Sequence, residues 1–362
     1  MRIAFFNWRD VKNPSAGGAE IYNHEVLRRF VQMGHEVTIF TSSYPGSLPR
    51  ETIDGIEHIR YAGRFLIYAK ARSCYKESIE GKYDLIVESI NGVPFFTALF
   101  AKEKIVPFIH QLTRENWYSG MVLPLALAGY YAEDHMLKLY KDRPSIAPSQ
   151  STKNDLERIG FADVSVVNGG SSIQSPKQLL KEKQPTLIYL GRLTKSKRVD
   201  HAISALSKIR KFVPEAKLRI LGRGPEENNL RRLASDLKVS DAVEFFGFVD
   251  EKEKIYLLST SHAMLFPAAR EGWGLTVVEA NRCGTPVIGY DVPGLRDSIR
   301  HGINGYLVRS GDVEGMAGAA SSLLKNKEEL KQLSLNAMEY SRQFSWDKSA
   351  DEFLSVLERC MK

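Results

Sequence analysis

Short runs of β-branched and aromatic residues alternate with longer segments of helical periodicity along the whole chain of 362 residues. This alternation is typical of parallel sheets whose strands are joined by crossover helices. The runs form two series, which predicts two sheets. The first series is IAFF, EVTIF, DLIVE, VPFIH, SIAPS and SVV, and the second is TLIYL, KLRIL, VEFFG, AMLFP, TPVIG and GYLV.

A polar segment containing two prolines, GGSSIQSPKQLLKEKQP, separates the two series. Its composition predicts an interdomain linker over residues 169–184, between a first domain at 1–168 and a second at 185–345. The last segment, FSWDKSADEFLSVLERC, has a capping signal at Ser345 or Asp347 and apolar residues at helical spacing. We predict a helix over 346–362 whose apolar face covers part of the first domain.

The overall charge of +7 is unevenly distributed, because residues 1–172 carry 20 Lys and Arg against 19 Asp and Glu, and the remainder carries 30 against 24. The surplus is scattered and forms no arginine-rich arm, which argues against nucleic acid as a partner. Three widely spaced cysteines fit neither a disulfide framework nor a metal site. We therefore expect a reducing, cytoplasmic location.

Neither a signal peptide nor a membrane span is expected. Only four apolar residues precede Asn7 in a row, too few for a secretory segment. The longest uncharged stretch, Asn116–Ala132, is interrupted by Pro124 and two glycines. It is therefore a poor candidate for a helix of about 20 residues crossing a bilayer.

Three segments place glycine between a predicted strand and a predicted helix: PSAGGAEIYNHEVLRRF, GRLTKSKRVDHAISAL and AAREGWGLTVVEA. In doubly wound sheets such turns lie at the carboxyl ends of the strands, where ligands bind. The unpaired N–H groups of a helix N-terminus also favour phosphate. A single glycine there is more often only a tight turn, but three such turns indicate a ligand site.

The third segment combines two carboxylates with a helix start. Glu271 directly precedes the amides of Gly272–Leu275, and Glu279 follows about two turns, or roughly 10 Å, later. Carboxylates accept hydrogen bonds from pairs of hydroxyls, whereas amides and cations suit phosphates. Arg192 and Lys197 supply the cations. The set predicts a site for a nucleotide diphosphate sugar.

Other side chains near these groups leave alternatives open. Lys195 and Arg198 fit solvated surface cations. Trp273 could pack in the interior, or it could shield the sugar from water.

The motifs AGGAE, FIHQL, NGG, GRLTKSK, GRGPE, FFGFV and EGWGLTVVEA, in this order and spacing, resemble those of the family-4 retaining glycosyltransferases, also termed glycosyltransferases group 1. The resemblance covers essentially the full chain. It implies the α/β GT-B fold, in which two Rossmann-like doubly wound domains face each other across a cleft. It further implies that the first domain binds the acceptor and the second binds the donor.

The resemblance also implies roles for particular residues. Glu271 is expected to hold hydroxyls of the donor sugar and Glu279 the ribose, while Arg192 and Lys197 clamp the diphosphate. His110 is expected beside the transferred sugar, giving His110, Arg192, Lys197 and Glu271 as the catalytic set. The expected donor-binding set is Gly17, Gly18, Arg192, Lys197, Gly222, Phe248, Val249, Glu271, Gly272, Trp273, Gly274, Leu275 and Glu279.

Two positions depart from the family pattern. The usual Lys-Gly pair at the diphosphate is Lys197-Arg198 here, and phenylalanine is commoner than tryptophan at Trp273. The sequence also lacks a D-x-D motif, the paired carboxylates that would bridge a metal to the diphosphate. We therefore expect no metal and no other cofactor. The resemblance implies hexosyl transfer from a UDP- or GDP-sugar.

The acceptor is expected near Gly17, Asn91 and His110, as a glycan or a polyprenyl- or other lipid-linked saccharide. Arg64, Tyr68, Arg72 and Lys76 form an i, i+4 row that suits peripheral contact with an anionic membrane at the inner face of the cell. The apolar segment WYSGMVLPLALAGYY is a second indication. The alternatives are a solvated helix face and a core helix.

Three other functions compete with glycosyl transfer. A nucleotide-sugar epimerase of the same architecture would act on the donor alone, and a non-catalytic sugar-binding module would release no nucleotide. A dinucleotide dehydrogenase does not fit, because NWRDVKNPSAGGAE lacks G-x-G-x-x-G and no acidic residue ends the second strand, EVTIFTSS.

Overall fold

The computed structural model describes residues 1–119 and 123–362. Gly120, Met121 and Val122, which belong to the uncharged stretch Asn116–Ala132, lie outside the described residues. The chain divides into two compact units, one formed by Met1–Gly170 with Ser345–Lys362 and the other by Ser171–Phe344. Each unit contains its own largely parallel sheet flanked by helices, which confirms the predicted fold class.

The strands and helices of the described residues follow the predicted alternation. The strands are β1 Arg2–Phe6, β2 Glu36–Ser43, β3 Arg50–Ile53, β4 Ile56–Gly63, β5 Leu85–Ile90, β6 Lys104–Ile109, β7 Ser145–Ala147, β8 Val164–Val166, β9 Thr186–Leu190, β10 Lys217–Leu221, β11 Val243–Gly247, β12 Ala263–Phe266, β13 Val287–Tyr290 and β14 Gly305–Val308. The α-helices are α1 Gly18–Gln32, α2 Leu66–Cys74, α3 Leu123–Leu137, α4 Gln150–Arg158, α5 Val199–Ile209, α6 Glu227–Asp236, α7 Glu251–Thr260, α8 Leu275–Arg282, α9 Leu295–Ser298, α10 Val313–Lys325, α11 Lys327–Ser341 and α12 Trp346–Met361.

The order of the strands fixes where each sheet can bind a ligand. The first sheet runs β3-β4-β2-β1-β5-β6-β7-β8, and the second runs β11-β10-β9-β12-β13-β14. The second order is the doubly wound arrangement 3-2-1-4-5-6. The strand order reverses between β1 and β5 in one sheet and between β9 and β12 in the other. Ligands of such sheets bind at these switch points, beyond the carboxyl ends of the strands.

The hairpin formed by β3 and β4 was missed by the sequence prediction. It turns through Asp54 and Gly55, whose φ values of 50° and 81° are those of a tight two-residue turn. The side of β4 that faces the interior carries His58 and Arg60. Arg60 Nε donates to Asp10 Oδ2 at 2.6 Å, so the buried charge is paired. Polar residues on the buried face obscured the alternation by which a strand is usually found.

The last helix, α12, packs within the first unit on α1 and β6. Ser345 caps it by accepting a hydrogen bond from the Lys348 amide at 3.2 Å. The ring of Trp346 meets Tyr22 edge-on at 5.4 Å, and Phe353 meets Phe108 at 5.3 Å. This apolar contact accounts for the helical spacing seen at the end of the sequence.

Lys181 fastens the predicted linker to the second unit. Its ammonium group is buried and donates to the carbonyl oxygens of Ser261 at 2.6 Å and Gly284 at 2.9 Å, and to Thr285 Oγ1 at 3.0 Å. Burial lowers the pKa of Lys181 to about 7. The second half of the predicted linker is therefore held against the core of the second unit.

The apolar segment after Asn116 is not a core helix in the residues described. It forms α3, which exposes Leu123, Leu125 and Tyr131 by 63%, 60% and 69%. Of the helices in the described ranges, none combines the length and apolar character that a bilayer span requires.

We expect the stability of the first unit to depend on the buried His58. Burial lowers the pKa of His58 to about 4, with Arg60 and His24 acting in the same direction against Asp10 and Glu51. Unfolded histidine titrates near pH 6.5, so the unfolded chain binds a proton that the folded chain excludes. Stability should therefore fall as the pH drops from about 6.5 to about 4.

The free energy of unfolding in urea, measured from pH 7 to pH 5, checks this expectation. In His58→Leu, the slope of the unfolding free energy against pH should decrease by the amount that corresponds to about one bound proton. In His135→Asn, a change at an exposed position, the slope should stay that of wild type. The same pH dependence in wild type and His58→Leu would contradict the assignment.

Candidate active site

Two loops meet at the switch point of the second sheet. One follows β9 and carries Arg192 and Lys197, and the other follows β12 and leads to Glu271. A backbone hydrogen bond from the Ala269 amide to the Ser196 carbonyl oxygen, at 2.9 Å, ties the loops together. Two segments far apart in sequence thus form one surface at the carboxyl end of the sheet.

Lys197 and Glu271 form an ion pair, with side chains only 17% and 14% exposed. The predicted diphosphate clamp and the predicted sugar ligand therefore neutralise each other. Arg192 is exposed, and no acidic side chain of the described ranges pairs with it. Its carbonyl oxygen accepts a hydrogen bond from the Tyr189 hydroxyl at 3.0 Å, which holds the loop backbone. The guanidinium is therefore available to an anion.

Glu279 lies on α8 beside a cation that the sequence prediction missed. Lys254 Nζ on α7 is 2.7 Å from Glu279 Oε1 and 2.8 Å from Glu251. Burial raises the pKa of Glu279 although Lys254 opposes the shift. Lys254 is the last residue of the sequence DEKEK at 250–254. In that run of charges it has the pattern of an ordinary solvated helix face, so the sequence did not single it out.

Close backbone packing explains two glycines of the site. Gly222 has a φ of 133°, and a Cβ there would lie 1.9 Å from the Gly191 carbonyl oxygen. Gly294, which the sequence prediction did not single out, has a φ of 82°, and its Cβ would lie 2.2 Å from the Glu271 carbonyl oxygen. The Glu271 amide also donates to Pro293 at 3.1 Å. The VPG turn thus supports the backbone of Glu271.

The start of α8 follows the prediction, with Gly274 at the cap position and a φ of 95°. Gly272, Gly274 and Leu275 accordingly surround the N-terminus of this helix. The Trp273 side chain is buried and meets Phe344 edge-on at 5.0 Å in a cluster with Val278. Trp273 therefore packs in the interior of the second unit, and its shielding of a sugar stays a prediction.

The FFGFV segment has one exposed and one partly buried apolar residue. Phe248 is 79% exposed, whereas Val249 packs against the core of the second unit. An exposed phenylalanine beside a ligand loop can stack on a nucleotide base.

Arg198 replaces the glycine of the family pattern at a left-handed backbone position. Its φ is 49° and its ψ is 44°, a conformation that favours glycine. Its Nη1 lies 3.3 Å from Ser310 Oγ in an exposed contact, so the solvated cation stays the expectation for Arg198.

The first glycine turn differs from the phosphate site that its pattern suggested. Gly17 caps α1, and its amide donates to Glu20 Oε2 at 2.6 Å. Glu20 is buried and pairs with Arg9 at 3.1 Å. The Glu20 carboxylate therefore already accepts the hydrogen bond of the Gly17 amide. Gly18, the next residue, is exposed.

His110 follows β6 near the switch point of the first sheet, and Asn91 follows the neighbouring β5. The His110 ring packs on Phe108 with centroids 4.1 Å apart and is 6% exposed. Burial lowers the pKa of His110 to about 3, so the imidazole is neutral at neutral pH. The two predicted acceptor residues thus lie on adjacent strand ends.

Among residues 1–119 and 123–362, no group of three His, Cys, Asp or Glu side chains is placed to hold a metal ion.

Two families of known proteins match the chain. The model described as Glycosyltransferase Family 4 matches residues 16–174, and Glycosyl transferases group 1 matches residues 171–340. A similar curated relative is N-acetyl-alpha-D-glucosaminyl L-malate synthase of Bacillus anthracis, 27% identical over 95% of this chain and 94% of its own length.

Similar solved structures share the fold over nearly the whole chain. Sucrose-phosphate synthase from Thermosynechococcus elongatus has a TM-score of 0.84 at 21% identity and covers 99% of this chain and 98% of its own. HepE of Anabaena, solved with UDP-glucose, has a TM-score of 0.77 at 18% identity and covers 99% and 100%.

The two Rossmann-like sheets have the GT-B fold that these solved structures share. The matched models together span residues 16–340, and the chain belongs to the family-4, or group 1, glycosyltransferases. The roles of the individual site residues stay predictions.

We expect Gly294→Ala to disturb the site more than Gly302→Ala, a replacement at a glycine of similar positive φ. Gly302 has a φ of 76°, and a Cβ added there would meet no atom within 4 Å. Each alanine should cost about 1–2 kcal/mol for the left-handed backbone. Gly294→Ala should cost about 1–3 kcal/mol more, because its Cβ overlaps the Glu271 carbonyl.

Urea unfolding of both variants measures this difference. Sugar transfer by Gly294→Ala should fall while that of Gly302→Ala is retained. Equal losses in the two variants would contradict the supporting role of Gly294.

Proposed function

We propose that this protein is a retaining hexosyltransferase that uses a UDP- or GDP-sugar and needs no metal. The observation that carries this proposal is the contact of Lys197 with Glu271 at the switch point of the second sheet. Glu279 follows on the same segment as Glu271, and Arg192 lies on the loop that carries Lys197. A diphosphate sugar offers phosphates to the cations and hydroxyls to the carboxylates, so it matches both kinds of group.

In the proposed reaction, the bond between the anomeric carbon and the diphosphate oxygen breaks as the acceptor oxygen bonds to the same face of the sugar. The departing phosphate takes the acceptor proton. Arg192 and Lys197 stabilise the charge that develops on the leaving group. Preorganised donors of this kind typically contribute about 3 kcal/mol each. Retention is what the family resemblance implies.

The donor would lie along the loops of the second unit. Glu279, held by Lys254, would accept hydrogen bonds from the ribose hydroxyls, and the exposed Phe248 would lie against the base. HepE, which shares the fold, was solved with UDP-glucose, which supports a nucleotide diphosphate sugar as donor.

The acceptor would bind the first unit near Gly17, Asn91 and His110. We propose an acceptor with an anionic group, such as a phosphorylated glycan or a polyprenyl-linked saccharide. Two of the similar proteins are named for L-malate and for sucrose-phosphate, both of which are anionic. In this chain the exposed Arg64 follows β4 at the carboxyl edge of the sheet, and its guanidinium carbon lies 5.3 Å from the Trp8 ring centroid.

The same unit presents a surface that fits an anionic membrane, and we propose peripheral contact at the inner face of the cell membrane. The predicted basic-aromatic row changes in one respect, because Tyr68 stacks on Phe95 at 4.8 Å instead of facing outward. Arg64, Arg72 and Lys76 remain exposed, together with Phe65 and Leu66.

Exposed leucines of α3 lie in the same unit. Ala71 of α2 and Leu137 of α3 belong to one core cluster, so both helices cover the same face of the first sheet. Cations next to exposed apolar side chains are typical of interfacial binding to anionic lipid.

A panel of UDP- and GDP-sugars, tested for thermal stabilisation and for release of the nucleotide diphosphate with acceptor, checks the proposed reaction. Lys197→Ala and Glu271→Ala should each lower kcat/KM about 10²–10³-fold. Lys195→Ala, at an exposed position of the same loop, is the matched control and should keep wild-type activity.

Three outcomes would count against the proposal. Activity abolished by EDTA would contradict the metal-independent mechanism. An epimerised donor without transfer would indicate an epimerase. Full activity of Lys197→Ala and Glu271→Ala would show that the site lies elsewhere.

Flotation with phosphatidylcholine vesicles, with and without phosphatidylglycerol, checks the membrane contact. The protein should float only with the anionic vesicles, because α2 presents cations. Arg72→Glu with Lys76→Glu should abolish flotation, and Lys331→Glu on α11 should not. No flotation of wild type with either vesicle would contradict the contact.

A further inference from the structure

Three buried side chains in the first unit form a hydrogen-bonded chain that ends at His110. Asn23 Nδ2 on α1 donates to Ser89 Oγ on β5 at 3.0 Å. Ser89 Oγ lies 3.0 Å from His110 Nε2. Asn23 and Ser89 are each 2% exposed, so water does not compete for these groups.

The donors and acceptors along this chain determine its direction. An amide nitrogen only donates, so Ser89 Oγ accepts from Asn23. The one hydroxyl proton of Ser89 is then directed at His110 Nε2, which must accept it. The reverse arrangement, with Nε2 donating to Ser89, would need the Asn23 amide turned so that Oδ1, which has no hydrogen-bond partner as it is placed, faces Ser89 instead of Nδ2.

The state of His110 follows from this direction. Burial keeps the pKa of the imidazole low, so the ring is neutral and carries one N–H. Because Nε2 accepts, the proton resides on Nδ1. Nδ1 has no hydrogen-bond partner in the described ranges, and it is not completely buried. The ring itself is held by Phe108 and by the edge of Tyr22, whose centroid is 6.0 Å away.

We propose that Asn23 and Ser89 are positioning residues that hold His110 as the Nδ1–H tautomer, so that it donates a hydrogen bond to a hydroxyl oxygen of a bound sugar. The chemical role rests on the proposed function, whereas the tautomer does not. His110 acts here as a fixed donor and not as an acid or base.

The tautomer can be measured by long-range ¹H–¹⁵N correlation on the full chain labelled with ¹⁵N-histidine at pH 7. His110→Asn identifies the signals among the eight histidines. Wild type should show a protonated Nδ1 and an unprotonated Nε2. Asn23→Asp places an acceptor beside Ser89, which should reverse the hydroxyl and move the ring proton to Nε2. Ser89→Ala should release the ring to a mixture of tautomers.

Ser334→Ala is the matched control, because Ser334 is a buried serine of the second unit. In this variant the His110 signals should be the same as in wild type. A proton on Nε2 or a charged ring in wild type would overturn the proposal. An unchanged tautomer in Ser89→Ala would also overturn the proposal. This variant tests the role of the hydrogen-bonded chain even if Asn23→Asp does not fold.

Steady-state kinetics with UDP-glucose and a sugar that wild type uses as acceptor test the proposed hydrogen bond from His110 to the bound sugar. Asn23→Asp should lower kcat on the order of 10²-fold with a smaller change in KM, since it removes one aimed donor. A reversed tautomer with unchanged kcat/KM would overturn the positioning role. If UDP-glucose and the other donors are not turned over by wild type, the proposed function fails while the tautomer measurement still stands.

Discussion

The site depends on how closely backbone segments approach one another at the carboxyl end of the second sheet. A Cβ at Gly222 would overlap the loop after β9, and a Cβ at Gly294 would overlap Glu271. These glycines allow loops from four strands to pack without side chains between them. Lys197, Glu271 and Glu279 are consequently fixed by a rigid sheet, which is the condition under which charged groups stabilise a developing charge most effectively.

The two units reach comparable loops by different local means. In the second unit, helix α8 begins at Leu275, directly after the cap residue Gly274. In the first unit, Glu20 accepts the hydrogen bond of the Gly17 amide and forms an ion pair with Arg9. The same strand–glycine–helix pattern therefore gives a helix with a capping box in the first sheet and a helix without one in the second. A carboxylate three residues after the cap glycine distinguishes the two.

Much of the fold could be predicted because its strands are short apolar runs between helices of clear periodicity. The hairpin β3–β4 escaped because His58 and Arg60 face the interior, where an alternating pattern calls for apolar side chains. Of the candidate site, Glu271, Glu279 and Lys197 could be found from motif spacing. Lys254 and Gly294 could not, since an ordinary charged helix face and an ordinary turn have the same local sequence. Their importance arises only from what lies opposite them in the folded chain.

The ion pair between Lys197 and Glu271 has a consequence for selectivity. A free phosphate would have to separate the ammonium from its carboxylate while giving that carboxylate nothing in return. A ligand bearing both an anion and suitably spaced hydroxyls replaces each partner with a new one. At the proposed donor site, the pair would therefore favour molecules that carry both features over abundant inorganic anions.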